Sequence, residues 1–214
     1  MDYPATITKI EVQKKNKGRV SIFLDDEFAF GLDGISAISH GLKEGDRLSR
    51  EQITNVLGKE EKKRVKEKAF RLLALRAHSE KELRTKLIHK GFAEEMVEEV
   101  ISELKTQKLI DDAAFAQSYA RTRLVNKPVG ERLLRRELQQ KGISEERINA
   151  AVSEAYSEKD QIGHARELVD RRLPRYQGLE NLKKKKRLAD FLVRRGFDWD
   201  LVKEVIEETL KDES

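Results

Sequence analysis

The β-branched residues Thr8, Ile10 and Val12 alternate with polar neighbours, as do Val20, Ile22 and Leu24, a period of two that predicts β-strands. Lys15-Asn16-Lys17-Gly18 supplies residues that tolerate positive φ between the first two strands. Asp25-Asp26-Glu27 turns the chain into a third strand around Phe28, Phe30 and Leu32. A small antiparallel meander is the expected result. A short helix follows near Ile35 to Ser39, ended by Gly41, and Ser49 with Gln52 makes a capping box for a helix through Leu57. Residues 1–58 are thus read as a small α+β module.

The period changes after that point. Lys59 to Lys68 is charged at every position except Val65 and feeds the apolar stripe Phe70, Leu73, Ala74 and Ala77, which predicts a solvated helical lead-in that joins the modules and isolates one from the next. The remainder repeats itself. Leu87-Ile88-His89-Lys90-Gly91-Phe92 matches Leu138-Gln139-Gln140-Lys141-Gly142-Ile143, and both match Leu192-Val193-Arg194-Arg195-Gly196-Phe197. The three glycines lie 51 and 54 residues apart, a spacing suited to a unit of three helices. Each glycine stands where a helix must stop in a left-handed residue, and the Phe or Ile after it covers the last turn. An acidic helix follows each stop, with apolar stripes Val97-Val100-Ile101-Leu104, Ile148-Ala151-Val152 and Leu201-Val202-Val205-Ile206. The expected fold is mainly α: three tandem three-helix repeats (59–110, 111–157 and 158–214) in an elongated stack, preceded by the α+β module with its β-meander. Within it, Ser79-Glu80-Lys81-Glu82 is a capping box, and Asp111 and Asp112 read as a helix N-cap behind Leu109-Ile110.

Composition narrows the function classes. Only 38% of the 214 residues are hydrophobic while 39% are charged, so the core must be thin or divided. Cysteine is absent, which removes disulfides, thiolate metal sites and cysteine nucleophiles together. His40, His78, His89 and His164 lack metal-ligand spacing, and no Gly-x-x-x-x-Gly-Lys-Ser/Thr loop is present to hold a nucleotide. No catalytic, cofactor or metal site is expected. Without an export signal or an apolar run of about 18 residues, the chain reads as cytoplasmic, with no membrane contact. Stacked repeats that contact mainly their neighbours predict a monomer.

Charge is unevenly placed. From Arg121 to Lys141 seven basic residues face two acidic ones, and from His164 to Gly196 eleven face four, whereas from Phe197 onward two face seven. Second helices that lay side by side would build a basic stripe toward nucleic-acid phosphates or an acidic partner surface. The candidate contact residues are Arg121, Arg123, Lys127, Arg132, Arg135, Arg136 and Lys141 in the second repeat. In the third they are Arg171, Arg172, Lys184, Lys185, Arg194 and Arg195. Arg132, Arg135 and Arg136 are read as surface residues of a helix whose buried stripe is Leu134 and Leu138. Tyr119, Tyr156, Tyr176 and Trp199 sit where packing accounts for them, which argues against base stacking.

The run Leu109-Ile110-Asp111-Asp112-Ala113-Ala114-Phe115-Ala116-Gln117-Ser118-Tyr119-Ala120-Arg121-Thr122-Arg123 closely resembles the core signature of the RecX family. So do Gly130-Glu131-Arg132, Glu137 to Ile143, Ser79 to Leu87 and Lys90-Gly91-Phe92. The resemblance runs from about residue 65 to the C-terminus, and the amino-terminal module is similar to the extension of longer members. It implies a bacterial cytoplasmic regulator, not an enzyme, that lies in the groove of the RecA recombinase filament on single- or double-stranded DNA. Such a protein modulates, usually inhibits, the filament's strand exchange, ATPase and coprotease activities in DNA repair and the SOS response. The alternative from the residues themselves is a helix-turn-helix regulator acting on duplex DNA. Against it, the helices after Gly91, Gly142 and Gly196, which would stand in the recognition position, are acidic.

Overall fold

The computed structural model describes residues 3–156 and 158–211. The chain divides into two compact units, Met1–Ala74 with Leu87–Ser102, and Leu75–Lys86 with Glu103–Ser214. None of the described helices is long and apolar enough to cross a membrane. Buried apolar side chains form separate clusters among the described residues, in keeping with the low apolar content.

In the first unit, β1 (Ala5–Val12), β2 (Arg19–Leu24), β3 (Glu27–Asp33) and β4 (Arg47–Leu48) form an antiparallel sheet in the order β3-β2-β1-β4. Two bulges change which residues face the core. Ile7 pairs with Leu24 and Ile10 with Ile22, so Thr8 is an extra residue in β1, and the inward side chains switch from Ala5 and Ile7 to Ile10. In β3 the extra residue is Ala29, because Phe30 pairs with Ile22 and Phe28 with Phe23. Phe28 therefore leaves the expected core stripe and packs edge-on against Phe23, its ring 5.9 Å away. The positive-φ turn also moves. The first hairpin closes with Arg19 N–H donating to the Asn16 carbonyl and Gly18 N–H to its side chain, while the left-handed pair is Asp25 and Asp26 in the second.

Helix α1 (Gly34–Ser39) starts at an Asp33 N-cap and stops before Gly41, and α2 (Arg50–Leu75) opens on the Ser49–Gln52 capping box. The expected stop at Leu57 is absent, because Gly58 stays helical and α2 runs on through the charged segment. A helical glycine costs about 1 kcal/mol relative to alanine, which packing along α2 offsets. Nor is that segment a solvated lead-in. Glu60 is buried, accepting from Asp33 N–H (3.0 Å) and from Arg19 (3.1 Å), Lys63 pairs with Asp33 (2.8 Å), and Val65 and Ala69 are fully buried. Phe70, Ala74 and Ala77, assigned to the core stripe from sequence, are exposed instead. Lys62 reaches Glu99, and Arg64 lies over the Phe92 ring, so the charged stretch provides counter-charge for the acidic helix beginning at Glu94.

Helices α3 (Glu80–Ile88) and α4 (Glu94–Thr106) contribute residues to both units. In the second unit, α5 (Asp112–Asn126), α6 (Glu131–Gln140) and α7 (Glu145–Ala155) enclose one core around Phe115, Leu134, Leu138 and Ile148. Helices α8 (Glu158–Arg172), α9 (Asn181–Arg194) and α10 (Trp199–Lys211), with a short 3-10 turn at Leu173–Tyr176, enclose another around Val169, Leu188, Leu192 and Phe197. The three glycine stops are as predicted: Gly91, Gly142 and Gly196 have φ of 85°, 81° and 86°. At the latter two, Ile143 and Phe197 N–H bond back to Leu138 and Leu192 carbonyls at 3.2 Å, closing Schellman caps.

Candidate partner-binding face of the second helices

The second helix of each repeat meets the next one end to end, not side by side. At the close of α9 the Arg195 and Gly196 carbonyls accept from Gly130 N–H (2.9 Å) and Arg132 N–H (3.2 Å) at the opening of α6. Terminal carbonyls and terminal amides, the groups a helix leaves unpaired, satisfy one another here. The approach is so close that a Cβ on Gly130 would lie 2.2 Å from Phe197 N and one on Gly196 would lie 2.4 Å from Leu133 N. The same joint recurs one repeat earlier. Ser79, which caps α3 by accepting from Glu82 N–H (3.2 Å), also donates its hydroxyl to the Lys141 carbonyl at the close of α6 (2.7 Å).

Along this row the charges are sorted by direction. The carboxylates of Glu80, Glu82, Glu131 and Glu137 are turned partly inward and paired: Glu80 with Arg84 and Lys105, Glu82 with Arg76 and Lys141, Glu131 with Arg135, and Glu137 with Arg123 and Tyr119. The cations Lys81, Arg132, Arg136, Lys186 and Arg194 are exposed, with Asp190 the acidic residue among them. Nearly balanced composition thus becomes a mainly basic outer surface.

The structure divides the thirteen candidate residues into three groups, with Lys184 apart from all of them. Arg123, Arg135, Lys141, Arg172 and Arg195 are half-buried braces. Arg123 donates twice to Glu137 (2.9 and 3.1 Å), and Arg135 bonds Glu131, Glu145 and Asn149. Lys141 joins Glu82 (2.6 Å) and lies 4.8 Å from the Tyr119 ring centre, Arg172 bonds Tyr176 Oη, and Arg195 donates to the Pro128 carbonyl. Arg135 thus departs from the surface position expected of it, because the extra carboxylate and amide offered by α7 draw it in. Arg121, Arg132 and Arg171 are exposed but paired with Glu154, Asp198 and Glu167. Lys127, Arg136, Lys185 and Arg194 are exposed and make no ion pair among the described residues, and Lys184 is half-buried. Leu134 and Leu138 are fully buried, as expected.

Four family descriptions match the chain in order. Residues 5–49 match the regulatory protein RecX N-terminal domain, and 66–104, 111–152 and 159–206 match the first, second and third RecX three-helix domains. The regulatory protein RecX of Bacillus licheniformis is 34% identical over 203 residues, covering 95% of this chain and 77% of that one. That of Clostridioides difficile is 33% identical and covers 95% of both. A crystal structure of regulatory protein RecX superposes with a TM-score of 0.72 at 29% identity, covering 95% and 99% of the two chains. The chain belongs to the RecX family.

Two braces of this family member go beyond the caps read from the sequence pattern. Asp111 caps its own helix, its side chain accepting from Ala113 and Ala114 N–H at 2.8 and 3.0 Å. Asp112 instead turns back, is buried, and accepts from Glu80 N–H at 2.8 Å, so the Asp-Asp pair caps two helices. Glu82 is the other. Burial alone would raise its carboxyl, but hydrogen bonds from Arg76 and Lys141 outweigh it and bring the group from 4.5 to about 2. A carboxyl depressed in the fold stabilises the fold fully above its unfolded value and loses that contribution as pH falls through the folded one. Urea unfolding at stepped pH is therefore expected to show stability falling between about pH 4.5 and 2, with a shallower fall for Glu82→Gln. Parallel acid limbs for the two proteins would exclude the brace.

Proposed function

We propose that this RecX family member binds the RecA–DNA filament through the exposed cations of its second and third repeats and lowers the filament's recombinase, ATPase and coprotease activities in DNA repair and the SOS response. The observation that carries the reading is the sorting of charge along α3, α6 and α9, carboxylates bracing inward and cations left outward. Such a face lowers its own repulsion by meeting phosphates or an acidic protein surface. The filament as partner rests on the family resemblance, and the relatives are themselves named regulatory proteins.

The test is RecA ATPase on single-stranded DNA with the triple variant Lys127→Glu, Arg136→Glu, Arg194→Glu, which leaves every described brace in place. Wild type is expected to inhibit and the variant to fold normally by circular dichroism yet fail to inhibit. Where the three cations meet phosphates, the slope of log affinity against log salt falls by about one for each phosphate no longer neutralised. A folded variant that inhibits like wild type at low and moderate salt refutes the assignment. Tight selection of one duplex sequence in the absence of the filament favours a helix-turn-helix regulator instead.

A further inference from the structure

Tyr119, Tyr156 and Tyr176 are covered by packing, but Trp199 remains 49% exposed, and Leu182 remains 80% exposed. Both border an open groove of about 600 Å³ between α9 and α10, within the roughly 300–1,000 Å³ range of built ligand clefts. Its floor is apolar, with Val202 and Ile206 buried and Ala189 half-buried. Its lining has four lysines against Asp190 and Glu207. Lys183 is paired with Glu180 and Lys203 with Asp200, which leaves Lys185 and Lys186 exposed and without an ion pair among the described residues.

An apolar trough with unpaired cations along its edge calls for a ligand that is apolar in the middle and anionic at its flanks. A nucleic acid supplies the anions, but its bases would need a free aromatic face. The Lys203 ammonium already lies over one face of the Trp199 ring, 5.7 Å from its centre, which leaves at most one face for stacking. A polypeptide meets both demands, since one large side chain fills the trough while carboxylates beside it reach the lysines. We propose that the α9–α10 groove is a docking site for an acidic segment of a partner protein, anchored by a single aromatic or large aliphatic side chain. The groove shares Lys185 and Lys186 with the basic face of the filament reading, but the two proposals fail separately, since none of the three residues reversed in that test lines the groove.

Trp199 is the one tryptophan in the chain and so reports occupancy directly. The full chain is titrated with the blocked hexapeptide acetyl-Asp-Glu-Asp-Phe-Asp-Glu-amide while indole emission is followed. A saturable shift to shorter wavelength is expected, at least ten-fold weaker for the peptide with serine in place of phenylalanine. Lys185→Glu with Lys186→Glu should weaken binding about ten-fold, the effect of reversing two cooperating surface charges. Leu182→Ser, at an exposed position that does not threaten the fold, should weaken it several-fold. The proposal is overturned if the hexapeptide causes no saturable change or the serine peptide binds equally well. It is also overturned if a twelve-nucleotide oligothymidylate produces the same shift and displaces the peptide, which would make the groove a nucleic-acid site.

Discussion

Alanine at Gly196 is expected to destabilise the protein by about 3 kcal/mol or more, alanine at Gly142 by less, and alanine at Gly91 by only about 1–2 kcal/mol. All three glycines end a second helix with φ between 81° and 86°, so each substitution carries the same left-handed penalty. They differ in what a Cβ would meet. At Gly91 nothing lies within 4 Å, at Gly142 it would press on the Lys81 side chain at 2.7 Å, and at Gly196 it would enter the Leu133 backbone at 2.4 Å. Side chains yield more cheaply than backbone, and the backbone in question is the joint between α9 and α6. Urea unfolding of the three variants measures the order directly. Equal destabilisation at the three positions would mean that the joint opens without resistance and that only φ matters.

The second large effect is expected at Glu137. Its two oxygens receive Arg123 through Nε and Nη2 and the Tyr119 hydroxyl at 3.0 Å, with about a fifth of each ionic side chain exposed. The carboxylate raises the Arg123 guanidinium, and burial, with the hydrogen bond to Glu137, pushes Tyr119 up to about 12. Glu137→Ala leaves a half-buried cation and a phenol without their acceptor, at a cost of about 2–3 kcal/mol. Replacing both partners by apolar residues, Glu137→Leu with Arg123→Met, should recover most of that stability. For contrast, Glu167→Ala removes an exposed i,i+4 pair with Arg171 and should cost under about 1 kcal/mol. If the double variant proves no more stable than Glu137→Ala alone, the destabilisation lies in packing and the ionic account of the brace fails.

What the sequence disclosed followed the range of the interaction. A left-handed stop is a property of one residue and its two neighbours, so the glycine–apolar pairs announced three helix ends and, by recurrence, three repeats. The Ser49–Gln52 cap was equally local. A bulge leaves no such mark: Thr8 and Ala29 each add a residue without disturbing the apparent alternation, and Thr8 and Phe28 ended up exposed in consequence. The helix expected to end at Leu57 instead runs on, since the decisive partners of the next stretch, Arg19 and Asp33 on Glu60 and Lys63, come from strands about 30–40 residues away along the chain. The basic tendency of the second helices was visible in composition. Which cations face outward was not, because Lys141 is claimed by Glu82 and Arg123 by Glu137 only once the helices are assembled.

Beside the Lys141–Glu82 and Arg132–Asp198 pairs, the end-to-end seam is fastened by neutral groups: two amides on two carbonyls between α6 and α9, and a serine hydroxyl on a carbonyl between α3 and α6. Dissolved ions screen charge against charge but have little purchase on such bonds. The outward cations, by contrast, would act on the proposed partner through a field that fades within about 8 Å at physiological ionic strength. Adhesion to the partner and cohesion of the second unit therefore answer to different variables. On the proposed mode of binding, raising the salt would release the partner before it loosened the neutral bonds that hold the row of helices in register.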